Sequence, residues 1–78
     1  MDPNIFLQKL ADEIDIEEDE TIDFDTNLHD LENFDSLAIM GLVSLAHKIS
    51  GRKIEASELQ NVTTVRSLMK LIGEEHFA

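Results

Sequence analysis

The sequence predicts an all-α fold, a small bundle of helices, on three observations. Apolar residues recur at i, i+3, i+4 and i+7 in three separate stretches. Those stretches are bounded by capping residues, or by a glycine at the far end. No segment of any length alternates apolar and polar residues as a half-buried strand does.

The first helix is expected over residues 3–14. Asp2 is a good N-cap, and Pro3 occupies the first helical position, where its missing N–H costs nothing. Leu7, Leu10, Ala11 and Ile14 form its apolar face, with Ile5 and Phe6 adding to it. Lys9, Asp12 and Glu13 take the wet side.

Residues 15–35 form a long acidic connection. Ile16, Ile22, Phe24, Leu28 and Leu31 are spread through it and are expected to pin it to the core. A connection of this length inside a small domain is either functional or packed. Asp23, Asp25 and Asn27 fit the first ligand positions of a calcium-binding helix–loop–helix. That motif needs glycine at its sixth position and glutamate at its twelfth, and those positions hold Leu28 and Phe34.

The second helix is expected over 36–50. Asp35 is its N-cap and Ser36 its first residue. Ala38, Ile39, Leu42, Leu45, Ala46 and Ile49 fall on one face at 100° per residue and form the core stripe. The face bearing Ser36 holds Leu37, Met40, Gly41, Ser44, His47 and Lys48. Ser50 and Gly51 end the helix, glycine being the natural left-handed cap. A short helix capped by Ser57 follows, after the inserted apolar residue Ile54. Thr63 or Thr64 caps the last helix, whose face is Val65, Leu68, Met69 and Ile72. Gly73 stops it, and residues 74–78 are expected to fray.

Composition narrows the function. Seventy-eight residues imply one domain over 1–78. There is no cysteine, so any thioester chemistry requires a thiol brought in by a prosthetic group. The formal charge is −11, and it is uneven: −12 over residues 1–35 and +1 over 36–78. Such a surface repels nucleic acid and steers basic proteins toward it. Acidic charge also keeps a small chain soluble and monomeric. No apolar run approaches bilayer length, and Met1-Asp2-Pro3 is a poor start for a secretion signal, so the cytoplasm is the expected location. His29, His47 and His76 are scattered, without zinc spacing or a nucleophile partner, and are read as surface residues. No catalytic constellation is present.

Asp35-Ser36-Leu37 resembles the Asp-Ser-Leu attachment motif of acyl carrier proteins. In that family the serine carries a 4′-phosphopantetheine arm. The order of helices, long, long loop, long, short, long, is also the family's, so the resemblance covers nearly the whole chain. It makes the expected fold a small four-helix bundle of the acyl-carrier type. Leu28 and Asp30-Leu31 match the family's pattern before the serine. Glu32-Asn33-Phe34 departs from it: the segment is one residue longer and lacks the usual glycine.

The resemblance implies a carrier that is not itself an enzyme. Ser36 would be the attachment site, with Leu37 beside it, and Asp35 would help hold the transferase's metal. The implied partners are a phosphopantetheinyl transferase, an acyl- or aminoacyl-loading ligase or synthase, and downstream transferases. Leu37, Met40, Gly41, Ser44 and Lys48 are the expected partner face. Carriers of primary fatty acid synthesis usually have several acids along the second helix. Here its only formal charge is Lys48, which favours a specialised lipid, polyketide or peptide pathway over general fatty acid synthesis. Short apolar cargo is expected near Leu45, Ile54, Leu59 and Val62, unless these residues are ordinary core. The competing function is a non-carrier acidic interaction module, in which Asp35 only caps a helix.

Overall fold

A computed structural model describes residues 1–77. Its elements are α1 (Pro3–Ile14), α2 (Ser36–Ser50), α3 (Ala56–Gln60) and α4 (Val65–Ile72). Single 3₁₀ turns lie at Leu28–Asp30 and Glu74–His76. Among the described residues there is no strand, only an isolated bridge between Asn27 and Thr64. This is the all-α bundle expected, with three longer helices and one short one.

Local chemistry explains the boundaries. Asp2 accepts from the Asn4 N–H at 2.8 Å and Pro3 opens α1. Asp15 ends α1 in the left-handed region, at φ 57° and ψ 57°, a conformation that aspartate tolerates better than most side chains. Asp35 caps α2 through the Ala38 N–H at 3.0 Å, and Gly51 closes it at φ 74°. Thr64, the second of the two threonines offered by the sequence, caps α4 through Ser67 N–H at 3.1 Å.

The cap of α3 differs from expectation. Glu55, not Ser57, is the N-cap, in a reciprocal box in which the Glu58 carboxylate accepts from the Glu55 N–H at 3.3 Å. Ser57 lies exposed within the helix. Glutamate is a poor N-cap by preference, and here the returning Glu58 compensates.

One core holds the bundle together. Phe6, Leu10 and Ile14 of α1 meet Ala38, Ile39, Leu42 and Ala46 of α2, with Ile54, Leu59 and Val62 around α3 and Val65, Leu68 and Ile72 of α4. The buried line of α1 is therefore turned from the expected one. Phe6 is fully enclosed, Leu7 and Ala11 are half-buried, and Ile5 is exposed. The tail adds to the cover of Phe6 and does not fray at Phe77: its ring packs on Phe6, with centroids 4.8 Å apart. Residues 74–76 form the 3₁₀ turn instead, and Ala78 lies outside the described residues. On α2, Leu45 and Ile49 are half-buried rather than central.

The acidic connection is packed. Leu28 and Leu31 enter the core, and Ile16, Ile22, Phe24 and Phe34 lie against it. The radius of gyration is 11.3 Å, close to the roughly 11.5 Å of a packed chain of this length. Three backbone bonds clamp the connection to the start of α4: Leu28 N–H to Thr63 at 2.7 Å, Val65 N–H to Thr26 at 3.1 Å and Arg66 N–H to Phe24 at 2.9 Å. Two of these satisfy donors that the first turn of a helix leaves without intrahelical partners. His29 is exposed but not idle, since its Nε2 lies 2.8 Å from the Val62 carbonyl oxygen and its ring meets Phe34 edge-on.

Candidate functional site

Ser36 is the first residue of α2 and is exposed. Its placement follows from its neighbours. Asp35 before it is held in an extended conformation by its cap bond, and Ala38 and Ile39 after it are drawn into the core. The serine is thus left facing water, at the positive end of the helix dipole. A phosphate ester there is favoured by the free N–H groups of the first turn.

The missing glycine before the motif has a structural explanation. Among the described residues, Gly51, Gly73 and Asp15 have positive φ. None lies in Glu32-Asn33-Phe34, so this path requires no glycine. Phe34 packs against the core, and its N–H donates to Leu31 at 3.3 Å. The Asn33 amide donates to the Asp15 carbonyl at 2.6 Å and to the Glu17 carboxylate at 3.0 Å. The loop is thereby tied to the end of α1 just before Ser36.

Of the expected partner face, Leu37 is 81% exposed and Met40 61% exposed. Ser44, His47 and Lys48 continue the exposed line along α2. Gly41 departs from it. This residue is half-buried toward α1, and a Cβ on it would collide with the Glu13 carboxylate. It marks the edge of the face, where α1 and α2 approach.

A groove of about 190 Å³ opens at that edge. Ile14, Leu37 and Ala38 supply its apolar lining, and Glu13, Asp15, Asn33 and Asp35 its polar one. Nothing in the sequence pattern signals that Glu13 and Asn33 meet there, because they lie on different elements. Leu45, Ile54, Leu59 and Val62 contribute to one continuous core, three of them buried and Leu45 half-buried.

Elsewhere on the acidic connection, the Glu20 carboxylate bridges two backbone N–H groups. It accepts from the Glu17 N–H and the Glu32 N–H, each at 2.9 Å. These two bonds hold its pKa below the usual carboxylate range, the Glu17 bond having the larger effect.

The bundle exposes a serine at the start of its second long helix, behind an aspartate cap, which is the arrangement that the resemblance to carrier proteins implied. The family model for the phosphopantetheine attachment site matches residues 4–72, so the chain belongs to that family. Members carry covalently attached 4′-phosphopantetheine, and this is the cofactor of the chain. No curated protein and no solved structure matches the chain significantly. No described helix is long and apolar enough to cross a membrane.

Proposed function

We propose that this chain is a carrier protein that bears 4′-phosphopantetheine on Ser36 and delivers its cargo to partner enzymes in a specialised pathway. When bound, the arm supplies a thiol that holds an acyl or aminoacyl group as a thioester. The protein's own residues present the arm. Asp35 caps α2 with Oδ1 and leaves Ser36 accessible. The helix N-terminus favours the phosphodiester, and a flexible arm keeps its cargo at high local concentration for successive enzymes. The domain acts as a monomer and contributes no chemistry of its own. Its partners are a phosphopantetheinyl transferase, a loading ligase or synthase, and downstream transferases.

The observation that carries the attachment site is the exposed Ser36 at the first position of α2, within a chain of this family. Ser36→Ala should abolish the mass gain on incubation with a transferase and coenzyme A, while circular dichroism and the melting temperature stay as in wild type. An Ala variant that still gains the arm would overturn the assignment.

The specialised pathway rests on the outer face of α2. Leu37 and Met40 are exposed beside Ser36, and Lys48 is the only formal charge on the helix. An apolar face of this kind favours a dedicated ligase or synthase over enzymes that dock by basic patches along the helix. Efficient malonyl loading and elongation by general fatty acid enzymes would overturn that reading.

A further inference from the structure

We propose that the groove between the end of α1 and the start of α2 receives an arginine or lysine side chain of the phosphopantetheinyl transferase that modifies the protein. The proposal rests on the carrier reading of Ser36 and adds where the enzyme grips.

Position is the first argument. Asp35 and Leu37, the chain neighbours of Ser36, both line the groove. An enzyme that brings its active site to the Ser36 hydroxyl therefore covers the groove as well.

Chemistry is the second. Ile14, Leu37 and Ala38 offer apolar surface to a long aliphatic stem, while Glu13, Asp15 and Asp35 offer carboxylates to its charged end. None of these three carboxylates has an ion-pair partner among the described residues, where the one salt bridge joins Arg66 to Asp25. The same charges disfavour the anionic arm as occupant. The outer face of α2 offers a basic partner no acid at all. Gly41 adds a reason for the placement, since its missing side chain leaves room for the Glu13 carboxylate over α2.

The test uses apo protein, a broad-specificity phosphopantetheinyl transferase and coenzyme A, with initial rates read by intact mass. The groove variant combines Glu13→Gln with Asp15→Asn. Asparagine is chosen because it accepts the left-handed conformation of Asp15. The control combines Glu18→Gln with Asp19→Asn, removing the same charge from residues that do not line the groove. The groove variant should raise KM for the carrier about tenfold with little change in kcat, about two- to fivefold per charge. The control should change KM less than about twofold, as expected for long-range steering alone. Equal KM values for the two double variants would overturn the groove as a docking point. Wild-type protein that never gains the arm would overturn the carrier reading, and this proposal with it.

Discussion

The Asn33 side-chain amide donates to the main-chain carbonyl of Asp15 at 2.6 Å. This bond joins the last loop before α2 to the left-handed residue that ends α1, and so helps fix where Ser36 emerges. Asn33→Ala, which also removes the bond to Glu17, should lower stability by about 1–2 kcal/mol, each hydrogen bond having a net worth of about 0.5–1.5 kcal/mol. It should also slow arm attachment, because the lead-in to Ser36 loosens. Urea melts and attachment rates equal to wild type would show that the tie does not hold the loop.

Glu20 should make the acidic connection sensitive to pH. Its folded-state pKa is depressed by the bonds from Glu17 and Glu32. The stability it contributes is therefore present above its unfolded pKa and is lost as pH falls through the folded value. Glutamine has one acceptor oxygen where Glu20 uses two. Glu20→Gln should melt below wild type at neutral pH, and the gap should narrow as the solution is acidified. A gap of constant size from neutral to acidic pH would count against this linkage.

Leu42 is 2% exposed and sits centrally in the core. Leu42→Ala should cost about 2–4 kcal/mol, the transfer term plus the cavity left behind. In a domain of this size that is a large part of the total stability. Chemical denaturation measures it directly, and an unchanged midpoint would contradict the packing described.

Met40, being exposed, should tolerate a charge in the free protein. Met40→Glu should change stability by less than about 0.5 kcal/mol. Turnover by the proposed loading ligase should nevertheless fall about tenfold, since the charge would enter an apolar contact. Added salt should slow the wild-type reaction only modestly, because the proposed contact is apolar. A Met40→Glu variant loaded as fast as wild type would remove Met40 from the partner face.

The sequence by itself determined the helices and the placing of Ser36. Its signals are local: Asp2-Pro3, Asp35, Gly51 and Thr64 act on the turns beside them, and the apolar period reports a helix wherever it falls. Those signals were sufficient to locate α1, α2 and α4. They were weaker at α3, where an unusual cap depends on Glu58 reaching back to Glu55.

Tertiary structure alone decided the meetings between distant residues. Phe77 returned to pack on Phe6. Asn33 found Asp15, the acidic connection bonded to the start of α4, and Glu13 came to lie over Gly41. None of these pairs is set by a period or a cap. Each depends on how the bundle closes, which is governed by total volume and by where unpaired backbone groups find partners. The exposed serine is thus a product of local chemistry, and the groove beside it a product of packing.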